Sequence, residues 1–130
     1  MAVVELTQDN LESTIRDNDI VLIDFWADWC GPCKSFAPVY EKVAENHPDI
    51  VFGKVDIQQQ EQVAQMFGIR SIPTLAIFRE QTLIMLEAGA MPENTLEQAL
   101  DTVRGLDMEQ VRADLKKRAE EAQQQEQASG

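Results

Sequence analysis

The sequence predicts an α/β domain in which a central mixed β-sheet is flanked by helices on both faces, with an extra helix at the C-terminal end. Short apolar runs alternate along the chain with segments whose apolar residues recur at helical spacing, which is the pattern of strands covered by helices. The last two predicted strands, 74–79 and 83–88, are separated by only a few residues. Because so short a connection permits an antiparallel hairpin but not a parallel crossover, the predicted sheet is mixed.

The first elements are a strand, a helix and a strand. Residues 3–6 are typical of a short strand, and the helix that follows carries Leu11 and Ile15 on one face. Residues 20–26 are almost wholly apolar, as expected of a central strand covered on both faces. That strand contains one carboxylate, Asp24, in surroundings where an unpaired charge is costly.

The middle of the chain predicts a helix, a strand and a second helix. After the turn that holds both cysteines, a helix runs to His47, and Pro38 removes one of its backbone hydrogen bonds, which predicts a kink. Residues 50–57 form a second buried strand, and residues 60–67 form a helix that Gly68 ends. The apolar face of the first of these helices consists of Phe36, Val39, Tyr40, Val43 and Ala44.

The C-terminal third predicts the hairpin and two further helices. Pro92 suits the first turn of a helix, and Gly105 marks its end. We therefore expect one main domain over residues 1–105, an appended helix over 106–122 and a disordered tail over 123–130.

The appended helix has only a thin apolar stripe. The residues of this stripe are Met108, Val111, Leu115, Ala119 and Ala122. An isolated helix of this length is marginal in water, so its stability must come from docking the stripe on another surface. Because the other faces are charged, we expect the helix to fold back on its own domain, with association between chains as the alternative.

The charge balance argues against two classes of partner. The chain has 11 basic and 23 acidic residues and a formal net charge of -12, which repels nucleic-acid phosphates and anionic lipid. No stretch reaches the roughly 18 apolar residues that a membrane span requires, and the first ten residues lack the pattern of a secretion signal. We expect neither nucleic acid nor membrane as a partner, and a cytoplasmic location.

Cys30 and Cys33 are the only cysteines, and they lie between a buried strand and a helix. A disulfide between them would be a weak structural cross-link, because closing a loop of about four residues contributes only about 2 kcal/mol to the stability of the fold. A zinc site usually needs four ligands, and the one other candidate, His47, has no second partner. We therefore expect no bound metal, and we interpret His47 as a solvated residue at a helix end.

A reversible dithiol explains the two cysteines better. Their spacing lets the sulfurs close a small ring, which Pro32 stiffens, and we expect the turn to project Cys30 into solvent. At or just before a helix N-terminus, unpaired backbone N–H groups and the helix dipole favour the thiolate of Cys30, the nucleophile in disulfide exchange. Cys33, one turn inward, is placed to attack the mixed disulfide and release the reduced substrate.

Several spaced motifs occur along the chain: Asp24-Phe25-Trp26-Ala27, Trp29-Cys30-Gly31-Pro32-Cys33-Lys34, Gly68-Ile69-Arg70, Ile72-Pro73-Thr74 and Gly89. Together they resemble the thioredoxin family over about residues 3–103. The resemblance implies the thioredoxin fold and dithiol–disulfide exchange, for which no cofactor is expected.

The resemblance also implies how a proton is handled. Asp24 and Lys54 match the family's buried pair, so Asp24 should have a raised pKa and accept a proton from Cys33. From the pattern alone, the alternative is a strand-end aspartate exposed to water.

A substrate-docking surface is implied by the same comparison. Pro73 matches a proline that is cis in the family, faces the dithiol and leaves the backbone of Ile72 free to pair with an extended substrate. The alternative is an ordinary proline at the start of a strand. The implied surface consists of Trp29, Gly31, Pro32, Ile72, Pro73, Gly89 and Ala90. Trp26 is assigned equally to packing and to this surface.

Four features depart from the family pattern. The predicted hairpin turn reads Arg79-Glu80-Gln81-Thr82 without the usual glycine, so a different turn is expected. Ser71 stands where bacterial members often have glycine, and residues 58–60 are glutamines in place of a more acidic or prolyl stretch. The helix over 106–122 is the largest departure, since family members often end soon after the preceding helix.

Residues and resemblance together predict a thiol–disulfide oxidoreductase that reduces disulfide-containing proteins. A thioredoxin reductase-like donor would restore the dithiol, and the Gly-Pro insert resembles that of reductases more than that of oxidases or isomerases. The alternative is an interaction or co-chaperone module that uses the C-terminal helix for partner binding or self-association. The expected oligomeric state is a monomer or a weak homodimer.

Overall fold

The computed structural model describes residues 2–129, in which a five-stranded sheet lies between two layers of helices. The strands are β1 (Val3–Glu5), β2 (Ile20–Trp26), β3 (Val51–Asp56), β4 (Thr74–Arg79) and β5 (Thr82–Ala88). The helices are α1 (Leu11–Asp17), α2 (Gly31–Asn46), α3 (Glu61–Met66), α4 (Glu93–Arg104) and α5 (Met108–Ser129). This order of elements confirms the predicted fold class.

The sheet has the strand order β1-β3-β2-β4-β5. Strands β1 and β2 both pair in parallel with β3, because helices connect these strands along the chain. Strand β4 is antiparallel to β2 and forms a hairpin with β5. The predicted mixed sheet is confirmed, and β2 lies at its centre, where both faces are covered.

Alternate residues of the central strand enter two separate cores. Ile20 and Leu22 point to the face covered by α2 and α4, whereas Val21, Ile23 and Phe25 point to the face covered by α1 and α3. This period of two explains why the strand is apolar at nearly every position. The same alternation places the side chain of Asp24 on the α2 side of the sheet, where the turn that holds the cysteines also lies.

The end of α2 differs from the prediction for His47. The ring is only 14% exposed and lies 2.8 Å from a carboxylate oxygen of Glu97 through Nε2. Arg104 donates to Nδ1 over 2.9 Å and also pairs with Asp49 at 2.7 Å. The interpretation of His47 as a solvated residue is therefore wrong, because its ring links the C-terminal end of α2 to α4.

Helix α5 packs on the domain only through its first turn. Asp107 accepts a hydrogen bond from the backbone N–H of Gln110 over 3.2 Å, as expected at a helix start. Met108 is 5% exposed and Val111 is partly buried, but Leu115 is already 42% exposed. The expectation that the whole stripe folds back is wrong beyond Val111, and the helix continues to Ser129 where a disordered tail was predicted from residue 123.

The hairpin between β4 and β5 turns through two residues, Glu80 and Gln81. Both have positive φ, 49° and 67°, as in the two-residue turns that normally favour Asn-Gly. The chain therefore retains a left-handed two-residue turn without the glycine, where the sequence predicted a different turn. Glu80 is held in place by its backbone N–H, which donates to the Asp19 carbonyl over 2.8 Å, and by its carboxylate, which pairs with Arg112.

Replacing Gln81 with glycine is expected to stabilise the protein by about 1 kcal/mol, because a residue with a Cβ is strained at positive φ. Gln81→Ala, which keeps the Cβ, is the matched control and should give no such gain. Urea unfolding of the two variants and the unaltered chain measures the difference. Equal stability of the glycine and alanine variants would show that the turn stores no strain at this position.

Candidate active site

The two cysteines lie at the start of α2, directly after the central strand. They are joined as a disulfide, and their Cα atoms are 5.3 Å apart. Cys30 is the N-cap of the helix, and the backbone N–H of Cys33 donates to the Cys30 sulfur over 3.1 Å. In the dithiol form that N–H and the helix N-terminus favour a thiolate at Cys30. The arrangement can therefore cycle between a disulfide and a thiol–thiolate pair.

The structure corrects the expected exposure of Cys30. Cys30 is 4% exposed and Cys33 is 3% exposed, so the turn does not project the first cysteine freely into solvent. The Cys30 sulfur lies 3.7 Å from the carbonyl oxygen of Ile72, on the loop before β4, and this loop helps to cover it. What projects instead is the neighbouring Trp29, which is 65% exposed.

Behind the disulfide, a cavity of about 210 Å³ lies between Cys33 and the sheet. Asp24, Cys33 and Lys54 all line it. Asp24 on β2 lies opposite Lys54 on β3 in the sheet register, and the ammonium group of Lys54 lies 5.2 Å from the centre of the Trp26 ring. Among the residues that the structure describes, Asp24 forms no ion pair within 4.0 Å, so Lys54 acts on it only through the longer-range field.

The buried position raises the pKa of Asp24 to about 7, because desolvation penalises the charged carboxylate. The positive charge of Lys54 opposes this effect in part. Asp24 is 4% exposed, and its Oδ1 has no hydrogen-bond partner in the structure. The prediction of a raised pKa is confirmed, and the alternative of a water-exposed aspartate is wrong. At neutral pH this group can take up or release a proton.

The predicted docking residues surround the disulfide on the outside of the domain. Gly31 and Pro32 are exposed at the start of α2, and Gly89 and Ala90 are exposed after β5. Trp26 is partly buried and lines the cavity behind the disulfide, and its ring Nε1 has no hydrogen-bond partner.

The loop before β4 brings a second group of predicted residues to the disulfide. The peptide bond between Ile72 and Pro73 is cis, which confirms that expectation. Pro73 is buried, and its carbonyl accepts a hydrogen bond from the backbone N–H of Gly89 over 2.8 Å, so the two loops are joined.

Several residues of this surface were not among the predicted site residues. Trp29 and Ile72 share a hollow of about 270 Å³ with Ile57, Ile69, Arg70 and Ser71. Ile69 and Arg70 belong to the motif Gly68-Ile69-Arg70 noted in the sequence, and that motif was the available signal for them. No sequence signal pointed to Ile57, because only the parallel pairing of β2 with β3 brings the end of β3 beside the cysteine turn.

Residues 2–129 contain neither a metal-binding cluster nor a membrane-spanning helix. No three His, Cys, Asp or Glu side chains in this part of the chain are grouped so that they could hold a metal ion. None of the described helices is both long and apolar enough to cross a membrane.

Comparison with known proteins places the chain among thioredoxins. The thioredoxin family model matches residues 2–102. A putative thioredoxin 2 of Streptomyces coelicolor is 58% identical over 109 residues, which are 84% of this chain and 81% of that protein. Thioredoxin 1 of Nostoc sp. is 41% identical over 102 residues, which are 77% of this chain and 95% of the relative.

Solved structures with the same fold agree with these matches. A mutant thioredoxin from Halobacterium salinarum superposes with a TM-score of 0.75 at 33% identity, covering 81% of this chain and 93% of its own. Thioredoxin f from spinach chloroplast gives a TM-score of 0.73 at 35% identity, with 79% and 94% covered. These matches share the fold that brings the two cysteines to the end of the central strand here.

Proposed function

This chain belongs to the thioredoxin family and is a dithiol–disulfide oxidoreductase, and on that premise we propose that Cys30 is its attacking nucleophile and Cys33 its resolving thiol. The observation that carries the assignment is the N-cap position of Cys30, whose sulfur accepts the Cys33 backbone N–H over 3.1 Å. Burial does not separate the two cysteines, since both are almost fully covered. The local electrostatics do, because the Cys30 sulfur, at the N-cap, is the one that accepts a backbone N–H of the first helical turn.

The proposed cycle transfers two electrons and two protons to a protein disulfide. The Cys30 thiolate attacks one substrate sulfur, the substrate disulfide breaks, and its leaving thiolate takes up a proton. The Cys33 thiolate then attacks the Cys30 sulfur and releases the second substrate thiolate, which is also protonated. The substrate leaves as a dithiol, and the protein is left with the Cys30–Cys33 disulfide that the structure shows.

The second step requires a base, and Asp24 is the group that the geometry supports. Asp24 and Cys33 line the same cavity, which Lys54 also lines. With a pKa of about 7, the Asp24 carboxylate is ionised in a large fraction of molecules at neutral pH and can accept the Cys33 proton. Lys54 favours the charged form from across the strand pair, which makes it a positioning residue in this scheme.

Substrate docking is assigned to the exposed rim around the disulfide. Ile72 precedes β4, which begins at Thr74, so its backbone lies outside the sheet ladder and can pair with an extended segment. Trp29 supplies exposed aromatic area on one side of the disulfide. The other exposed members are Gly31, Pro32, Gly89 and Ala90. Pro73, which is buried, supports the rim because its carbonyl accepts the backbone N–H of Gly89.

We also assign the source of electrons and the compartment. A thioredoxin reductase-like protein would return two electrons to the Cys30–Cys33 disulfide, since the cycle consumes one dithiol per turnover. A cytoplasmic location fits a chain whose only two cysteines form one redox pair, because a reducing compartment supplies such electrons.

Trapping of the mixed disulfide tests the assignment of the two thiols. Cys33→Ser keeps the nucleophile and removes the resolving thiol, so it should accumulate a covalent complex with a disulfide-containing protein such as insulin. Cys30→Ser is the matched control and should give less than about a tenth as much complex. Non-reducing electrophoresis and intact mass measure both. More complex with Cys30→Ser than with Cys33→Ser would reverse the assignment.

A further inference from the structure

The basic residues of α5 are concentrated in one short stretch. Residues 112–118, which we call the basic segment, contain four basic residues and one acidic residue. The other 123 residues of the chain contain 7 basic and 22 acidic residues. The segment is opposite in charge to the rest of the chain, so its cations can pair locally with acidic side chains of a second copy.

The basic segment makes little use of its own domain. Arg112, the first residue of the segment, forms a 2.8 Å ion pair with Glu80 in the hairpin turn. Every side chain from residue 112 to 127 is exposed, including Leu115 at 42%. Because α5 is a continuous helix of 22 residues, about 33 Å long, it carries the rest of the segment away from the domain. The structure therefore leaves Leu115 in solvent, with Lys116 and Arg118 flanking it on the helix surface.

A complementary surface lies on the opposite side of the sheet from α2. Helices α1 and α3 border a groove of about 840 Å³, which we call the α1–α3 groove. Leu11, Ile15 and Val63 line it, and Met66 is 72% exposed at its edge. It shares no lining residue with the cavity behind the disulfide. The groove therefore offers an apolar lining, away from the disulfide, against which an apolar side chain can pack.

Charge at the groove matches the basic segment. Glu12 on α1 lines the groove, and Gln8 connects it to a neighbouring hollow that Glu61 at the start of α3 lines. Arg16 is the one basic residue of the lining, and its charge is offset by a 3.0 Å ion pair with Asp17. The groove is thus apolar inside and acidic at one end, the reverse of the segment's charge.

We propose that two copies of this chain associate reciprocally, with the basic segment of each copy in the α1–α3 groove of the other. Leu115 then contacts the apolar lining beside Met66, and the two cations that flank it on the helix surface, Lys116 and Arg118, face Glu12 and Glu61. Such a pairing is closed and two-fold symmetric, because each chain gives one segment and receives one. The residues around the disulfide lie outside both surfaces, so each copy keeps its exchange activity.

Charge reversal tests the pairing with the full-length protein. The segment variant Lys116→Glu/Lys117→Glu/Arg118→Glu and the groove variant Glu12→Lys/Glu61→Lys each juxtapose like charges, so each should dimerise at least about tenfold more weakly than the unaltered chain. An equimolar mixture of the two should regain a dimer, since the acidic segment then meets the basic groove and the basic segment meets the acidic groove. Sedimentation velocity over a range of concentrations measures all three.

Charge-conserving and high-salt controls show whether opposite charges hold the two copies together. Lys116→Arg/Lys117→Arg keeps the charge and should dimerise like the unaltered chain, whose dimer should weaken in about 0.5 M salt. Unchanged insulin reduction by the segment and groove variants shows that they are folded. A monomeric unaltered chain, a dimer that survives in either reversed variant, or a mixture that stays monomeric would each overturn the proposal, and none of these results bears on the roles of the cysteines.

Discussion

Cys30→Ser is expected to remove the acceleration of insulin reduction by dithiothreitol, so that the rate at catalytic protein concentration falls to that of dithiothreitol alone. The reason is that serine at this position cannot form a disulfide with the substrate, so no covalent intermediate exists for the second thiol to resolve. The helix N-terminus that stabilises a Cys30 thiolate does not lower a serine hydroxyl pKa far enough to replace it. Precipitation of the reduced insulin chains gives the rate.

A serine placed nearby provides the control for that experiment. Ala37→Ser adds a hydroxyl at an exposed position of α2 that also borders the cavity behind the disulfide, and it should retain the rate of the unaltered chain. If Cys30→Ser kept a substantial part of the catalytic rate while folded, exchange through Cys30 would be ruled out as the turnover step. Loss of activity in both variants would point instead to disturbance of the helix start.

Asp24→Asn is expected to stabilise the oxidised protein by about 4 kcal/mol at pH 8 and by almost nothing below about pH 4. In the folded chain the pKa of Asp24 is raised from 3.8 to about 7, because burial disfavours the carboxylate. Ionising this group therefore opposes folding, whereas an asparagine is neutral at every pH. Urea unfolding of both proteins at several pH values measures the difference.

The direction of the pH dependence follows from proton binding. Between about pH 4 and pH 7 the folded state keeps the Asp24 proton while the unfolded state has released it, so the folded state binds more protons. Stability of the unaltered chain then falls as the pH rises through this interval, relative to the variant. Above about pH 7 both states are ionised and the difference between the two proteins stays constant.

An exposed aspartate beside the same cavity serves as the matched control. Asp28→Asn changes the same functional group at a residue that also lines the cavity but is exposed, and its stability should follow that of the unaltered chain at each pH. A pH-independent gain in Asp24→Asn would assign the effect to packing or hydrogen bonding in place of ionisation. Equal gains in the two variants would assign it to net charge.

Most of the fold was predictable because local pattern and tertiary environment agree. The apolar run of β2 predicted a strand covered on both faces, and two cores do enclose it. The short link between β4 and β5 predicted an antiparallel hairpin, since only that pairing is sterically possible over two residues. The order of the strands across the sheet was not predicted, because it depends on which helix packs on which face.

Predictions failed where a distant contact decides the environment of a residue. His47 looked like a helix end in solvent, but Glu97 and Arg104, about fifty residues further along the chain, enclose its ring. Cys30 looked exposed from the turn that contains it, but the loop of Ile72 covers its sulfur. The thin stripe of α5 predicted docking on the domain, yet only Met108 and Val111 reach it.

By itself, the sequence determined the chemistry of this protein. Two cysteines at the start of a helix form a redox pair, because the helix N-terminus acts on the residues next to it in the chain. A carboxylate in an apolar strand predicted a raised pKa, which burial in the folded sheet then produces. Only the tertiary structure decided what those groups meet: the shared cavity of Asp24, Cys33 and Lys54, the Ile72 carbonyl at the Cys30 sulfur and the exposed length of α5. These features depend on contacts between residues far apart in the chain, and local periodicity carries no information about such contacts.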